Sequence, residues 1–331
     1  MLKPALALLA VIAAAPALST QASAQDAKAP NACTAASVAL DDRIAGCTAV
    51  IDAKKETGRA LAIAYCNRGF AFTEKRELDK AMADLDQAIK ADDSYACPFS
   101  NRGRVWHFKG NTEKAMADYN QAIKLDPKFA IAYNNRGDAY LNRDNLDLAI
   151  ADFSMAIKLD PNFGGALGNR GYAYFRKRAY DRALADFNAL LKLTPNDMMT
   201  YINRGNVYRS MELLDKAGAD YAKVIELAPK DARGWRNRAL IKLMKDDFKG
   251  GLADYDEALK YDARDAYSWN NRAIAKRELG VELDKTLQAQ NWMEAELNEA
   301  DLAYAMGDVR VTWDAAHVLH EKIAAAEEQW L

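Results

Sequence analysis

Residues 130–163 read AIAYNNRGDAYLNRDNLDLAIADFSMAIKLDPNF. The Asn-Arg dipeptide inside this stretch stands at 67, 101, 135, 169, 203, 237 and 271, every interval being 34 residues. Gly follows it as Gly69, Gly103, Gly137, Gly171 and Gly205, then becomes Ala239 and Ala273. Two residues before each Asn stands a bulky apolar side chain: Tyr65, Phe99, Tyr133, Leu167, Tyr201, Trp235 and Trp269. A second aromatic recurs as Phe72, Trp106, Tyr140, Tyr174 and Tyr208. Later in each unit come Ala81, Ala115, Ala149, Ala183 and Ala217, with Gly251 in the sixth. Four residues further on are Leu85, Tyr119, Phe153, Phe187, Tyr221 and Tyr255. A fixed period of this length marks a repeat architecture, in which a lone unit cannot bury both its faces and stacked units share one core.

Within a unit the apolar positions recur at helical spacing, as in Tyr133, Gly137 and Tyr140. Small residues meet large ones: Gly137 and Ala149 let two helices approach closely, and Tyr140 and Phe153 fill the space beside them. Leu-Asp-Pro at 125–127 and 159–161 stops one helix and starts the next, because proline lacks a donor yet tolerates a first helical turn.

These residues carry a resemblance to tetratricopeptide repeat proteins over about residues 62–284. The resemblance implies an all-α, right-handed superhelical solenoid of about seven helix-turn-helix repeats with helical caps. Residues 62–285 divide into units 62–95, 96–129, 130–163, 164–197, 198–231 and 232–265, with 266–285 onward degenerate. Leu40 to Asp52 echoes Leu78 to Lys90, so 38–61 reads as an N-terminal half-repeat, 25–37 as the linker into it and 286–331 as C-terminal capping helices.

Residues 1–24, MLKPALALLAVIAAAPALSTQASA, combine one early charge, Lys3, with a short apolar core and a small-residue end. That is the form of a cleaved secretory signal, and the apolar run is too short to span a bilayer. The expected product acts outside the inner membrane, in a bacterial periplasm, with no membrane insertion after cleavage. Ile44-Ala45-Gly46-Cys47 mimics a lipid-attachment box but lies inside a helical pattern. Lys and Arg number 45 against 47 Asp and Glu, a net charge of −2, so nucleic acid loses its usual electrostatic argument as a partner.

An even count of cysteines in an exported chain favours disulfides. Repeat register pairs Cys33–Cys47 as a staple on the first hairpin and Cys66–Cys97 as a clamp between the first two units, each worth about 3–4 kcal/mol in the chain-entropy model. A catalytic reading of Cys97 with His107 has no third orienting group. His317, His320 and Glu321 lack the spacing of a zinc site. The expectation is no metal, no cofactor and no enzyme activity.

Asn67, Asn101, Asn135, Asn169, Asn203, Asn237 and Asn271 share one face of successive first helices. The resemblance places that face in a concave groove, where some family members hold the backbone of an extended peptide with an asparagine ladder. Each Asn has an acceptor and two donors, and bonding only to the neighbouring helix is the alternative. Arg68, Arg102, Arg136, Arg170, Arg204, Arg238 and Arg272 follow directly, where the family more often has an apolar residue. Asp84, Asp118, Asp152, Asp186, Asp220 and Asp254 form a second 34-spaced series, expected to pair with them as a structural ion-pair ladder. The residues preceding Asn carry no repeated basic cluster, which argues against a carboxylate clamp of the chaperone type. Phe70, Tyr172 and Phe175 are candidate aromatic contacts, and Arg209, Arg233 and Arg236 supply local positive charge. The reading is a scaffold or adaptor whose partner is a protein or peptide segment. Its rival is a spacer or assembly subunit acting through the convex face or C-terminal cap.

Overall fold

The computed structural model describes residues 31–35 and 37–280, in fifteen helices with no strand among them. The expected signal 1–24, the end of the seventh unit, the capping helices 286–331 and the histidines at 317 and 320 lie outside the described residues. No described helix is long and apolar enough to cross a membrane. The chain divides into two compact units at Val207/Tyr208, so residues 31–207 and 208–280 are taken in turn.

The first unit begins with α1 (Asn31–Thr34) and α2 (Leu40–Asp52). The short α1 falls where a linker was expected; Cys33 is bonded to Cys47, and the buried Arg43 donates to the Ala35 carbonyl at 2.8 Å, which ties this stretch to α2. Hairpins follow: α3 (Gly58–Glu74) with α4 (Leu78–Ala91), α5 (Ala96–Phe108) with α6 (Thr112–Leu125), and α7 (Ala130–Asn142) with α8 (Leu146–Leu159). Then come α9 (Gly164–Arg176) with α10 (Tyr180–Leu193), and α11 (Met198–Ser210), inside which the boundary falls. The second unit holds the end of α11, then α12 (Leu214–Leu227), α13 (Ala232–Met244), α14 (Phe248–Tyr261) and α15 (Ala266–Glu278).

Glycine and aromatic meet inside each hairpin of the first unit. A Cβ on Gly137 would lie 2.7 Å from the Phe153 ring, and one on Gly103 2.6 Å from Tyr119. Phe153 is fully buried and Tyr119 nearly so, each contributing about 1.5–3 kcal/mol by burial. Where a first helix turns into a second, one residue takes the left-handed conformation that ends many helices: Arg76, Asp144 and Arg178 have φ of 60–63°, and Gly110 fills the equivalent place. Between hairpins an aspartate side chain closes the turn. Asp126 accepts from the Lys128 amide at 2.9 Å and Asp160 from the Asn162 amide at 3.0 Å.

First helices of successive repeats touch one another in the first unit, α3 with α5, α5 with α7 and α7 with α9, whereas consecutive second helices do not approach to the same degree. A stack that is tighter on one side bends toward it, so the first helices form the inner side of this unit. In the second unit α13 likewise touches α15.

Candidate functional site: the inner faces

Helical periodicity sets Asn67, Asn101, Asn135 and Asn169 on the side of each first helix that meets the preceding repeat. Asn67 Nδ2 donates to the Cys33 carbonyl at 3.0 Å, Asn135 Nδ2 to Ser100 Oγ at 3.2 Å and Asn169 Nδ2 to Asn134 Oδ1 at 3.3 Å. Asn101 Nδ2 reaches the sulfurs of Cys66 and Cys97, at 3.2 and 3.5 Å. The acceptor is the residue just before the Asn of the preceding repeat wherever that residue is Cys66, Ser100 or Asn134. One amide hydrogen of Asn67, Asn135 and Asn169 is therefore used within the stack, and the Asn101 amide meets two sulfurs, while the carbonyl oxygens of these four accept no hydrogen bond from any described residue. In the second unit Asn237 is buried, and Asn271 donates to the Tyr267 carbonyl of its own helix.

The arginines beside them have a different task. Arg68, Arg102, Arg136 and Arg170 each grip the aspartate sixteen residues ahead with two parallel bonds of 2.7–2.9 Å, reaching Asp84, Asp118, Asp152 and Asp186. Arg238 does the same with Asp254 in the second unit. Arg204 and Asp220 fall in different units; Arg204 donates to Asn188 and Asp220 is buried. Arg272 donates backward to Asp256 at 2.5 Å. A third arm, which sequence reasoning missed, joins each repeat to the one before. Arg68 Nη1 reaches Thr48, Arg102 Asp86, Arg136 Asn120 and Arg170 Ser154, at 2.7–3.1 Å. The guanidiniums also lie over the aromatics three residues earlier: Tyr65, Phe99 and Tyr133 in the first unit, Trp235 and Trp269 in the second. The bonds to aspartate hold the Arg68, Arg136 and Arg170 pKa above its ordinary value against the opposing effect of burial.

The expected Cys66–Cys97 disulfide is not formed. The two sulfurs lie 2.7 Å apart, closer than the packing of two separate thiols and longer than the S–S bond of about 2.0 Å. The repeat spacing brings the two side chains from α3 and α5 into contact without joining them. Burial pushes the Cys66 thiol up, with Cys97 adding to the rise, so it stays protonated.

Further along the inner side of the first unit, Arg104 pairs with Glu74, and His107 Nε2 lies 3.1 Å from Asn142 Nδ2 and 3.8 Å from Asp138. Burial raises the Asp138 pKa, and His107 and Arg104 pull it back. His107 thus faces Asn142 and Asp138, while the Cys97 sulfur lies against that of Cys66. Among the described residues no group of His, Cys, Asp and Glu is arranged to hold a metal. Of the candidate aromatics, Phe70 and Tyr172 are half-buried, and the Phe175 ring meets that of Tyr180 at a tilt of 41° with centroids 6.1 Å apart. In the second unit Arg233 is taken up by Asp231 and Arg236 by Asp265.

Models of the tetratricopeptide repeat match residues 62–95, 130–163, 164–197 and 200–231, and a model described as TPR repeat matches 103–144. A comparison with curated protein sequences yields no match. Among solved structures the chain is similar to one in the APC/C hetero-tetramer Cut9–Hcn1, with a TM-score of 0.59 and 17% identity over 71% of this chain, spanning 48% of that chain. It is similar to PilF of Pseudomonas aeruginosa, with a TM-score of 0.57 and 16% identity over 63% of this chain and 95% of that one. It is also similar to YrrB, described as a TPR protein with an unusual peptide-binding site, with a TM-score of 0.50 and 22% identity over 57% of this chain and 97% of that one.

Proposed function

Because the chain belongs to the tetratricopeptide repeat family, whose helical-repeat scaffold it shares, we propose that it is a non-enzymatic protein that binds an extended segment of a partner along its inner face. One observation carries the reading. Asn67, Asn135 and Asn169 are each held by a bond to the preceding repeat and keep an unused carbonyl oxygen and a second amide hydrogen, and Asn101, whose amide meets two sulfurs, keeps its carbonyl oxygen. Side chains fixed in this way lose little freedom on binding, and an acceptor beside a donor suits the alternating groups of an extended backbone. Neighbours that vary from repeat to repeat, such as Arg104, Asp138 and Tyr172, would then select the side chains of the bound segment. The peptide-binding site described for YrrB supports such a use of the fold. The leader-like residues 1–24 support a periplasmic location.

Crosslinking of the chain in its native envelope tests the reading, with Asn135, Asn169 and Asn203 replaced together by alanine. Loss of the partner is expected with the helical fold retained by circular dichroism, melting falling by no more than the lost stack bonds account for, about 1 kcal/mol each. Undiminished capture by the triple variant refutes the ladder.

A second reading draws on α8. Leu148 is 51% and Met155 36% exposed on its outer side, at positions where other repeats carry Lys80, Lys114 and Arg182 or Gln87 and Gln121. That apolar spot is where an assembly contact through the convex face would lie, and light scattering of the Leu148→Lys variant against wild type distinguishes it.

A further inference from the structure

Two sulfurs meet where the first two repeats meet. Cys66 lies in the middle of α3 and is fully buried, whereas Cys97 is the second residue of α5 and is half-buried. The sulfurs are 2.7 Å apart across the contact between α3 and α5. A disulfide needs about 2.0 Å, so closure asks for less than about 1 Å of side-chain movement, with both helices left in place. Cys33 and Cys47, by contrast, are already joined, and both are fully buried. The described chain thus carries one sealed pair and one pair poised to bond.

The surroundings make the two sulfurs of the second pair unequal. Cys66 belongs to an apolar cluster with Ala62, Ala81, Leu85 and Val105, and burial there pushes its thiol well up. Cys97 stands in the first turn of α5, where the amides of a helix N-terminus favour negative charge, and it is the sulfur that solvent reaches. Asn101, one turn further along α5, points its amide at both, 3.2 Å from Cys66 and 3.5 Å from Cys97, so a thiolate on either side meets a donor. Thiol–disulfide exchange needs an accessible sulfur that attacks and a second sulfur within reach that resolves the mixed disulfide. The sealed pair offers no accessible sulfur; this pair offers both parts.

We propose that Cys66 and Cys97 are a redox-active pair that exchanges with a disulfide-bearing oxidant, entering at Cys97, and that closing the pair clamps the first repeat to the second. Cys97 gives up its proton, and its sulfur attacks one sulfur of the oxidant's disulfide. That disulfide breaks, a Cys97–oxidant bond forms, and the expelled thiolate takes up the proton. Cys66 then attacks the Cys97 sulfur, breaks the mixed disulfide and passes its own proton to the second thiolate released. The pair loses two electrons and two protons, and the oxidant becomes two thiols. Excess thiol runs the same steps backward. The exchange does not depend on the binding function proposed above, and its test reads the sulfurs alone.

Incubation of the full chain in glutathione buffers of graded thiol-to-disulfide ratio, followed by acid quenching, alkylation and peptide mass mapping, tests the proposal. Cys66 and Cys97 should both be alkylated in reduced glutathione and become bonded to each other as glutathione disulfide is added, with Cys33–Cys47 closed throughout. The closed form should melt about 5–10 °C higher than the open one, because the bond joins residues 31 apart in sequence. Cys66→Ser gives the first repeat the side chain that Ser100 supplies in the second, and should stop the reaction at a glutathione adduct on Cys97. Cys97→Ser should leave the buried Cys66 unmodified. Asn101→Ala should slow formation of the adduct about tenfold, the amide being the donor that meets the thiolate. In cells, the mass carried by Cys97 in the Cys66→Ser variant, that of glutathione or of a protein, tells which kind of disulfide the pair meets.

Alkylation of both cysteines at every ratio overturns the proposal. A Cys66–Cys97 bond that persists in excess reduced glutathione overturns it from the other side, since the pair would then be a permanent staple like Cys33–Cys47. An adduct on Cys66 in the Cys97→Ser variant, or none on Cys97 in the Cys66→Ser variant, overturns the entry at Cys97. If either variant fails to fold, the titration of the wild-type chain decides alone.

Discussion

Replacing Asp152 by alanine asks how much of the stack depends on the arginine–aspartate ladder. Asp152 is 7% exposed and accepts from Arg136 Nε at 2.7 Å and Nη2 at 2.8 Å. Its removal strands a guanidinium whose side chain is 20% exposed and which keeps only Asn120 Oδ1 and the Tyr133 ring. Breaking a fully buried pair from one side costs about 3–5 kcal/mol, and partial access to water lowers that here to about 2–3 kcal/mol. For an array of this size the loss corresponds to a fall of about 5–10 °C in melting temperature. Circular dichroism during heating, repeated in urea, reads it. The control is Asp79→Ala, whose carboxylate is 93% exposed beside Lys109 and whose loss should leave melting unchanged. Replacing Arg136 by leucine as well should recover much of the stability, because the penalty lies in the abandoned charge. If Asp152→Ala melted with the wild type, the ladder would be an accompaniment of the repeat and not one of its supports.

Three other predictions follow from the hairpins. Gly137→Ala places a methyl group 2.7 Å from the buried Phe153 ring and should cost about 1–2 kcal/mol in urea unfolding despite alanine's better helix propensity. Arg178→Gly relieves a left-handed residue at φ 60° and should raise stability by up to about 1 kcal/mol, whereas Arg176→Gly two residues earlier, inside α9, should lower it. Asp138 has a pKa raised by burial, so its contribution is favourable while it is protonated and is lost as pH rises through the folded-state pKa. Asp138→Asn should therefore melt higher than wild type at neutral pH, with the difference closing as the pH is lowered.

The sequence showed the hairpins because their cause is local and repeated. Glycine opposite an aromatic and a breaker every 34 residues are properties of types and spacings, and they set α3 to α15. Arg136 and Asp152 were legible as a pair for the same reason, each being one of a periodic series. The third arm of the ladder had a signal that was passed over: Asp86, Asn120, Ser154 and Asn188, small polar residues sixteen before the arginines. The left-handed turns were hidden because Arg76, Asp144 and Arg178 fill places that glycine marks only at Gly110 and Gly280. The destination of each asparagine was not legible, since it depends on the residue before the preceding Asn, which changes from cysteine to serine to asparagine. Register placed Cys66 against Cys97, but neighbouring helices can bring two sulfurs together without bonding them. Arg209 looked like one of three equivalent cations until the structure showed the other two already paired.

The most direct measurement is photocrosslinking in the native cell, with a benzophenone amino acid placed in turn at Tyr172, on the inner side of α9, and at Leu148, on the outer side of α8. The account predicts a discrete protein adduct from position 172 that disappears when Asn135, Asn169 and Asn203 are alanine, and none from position 148. An adduct from position 148 alone would contradict it.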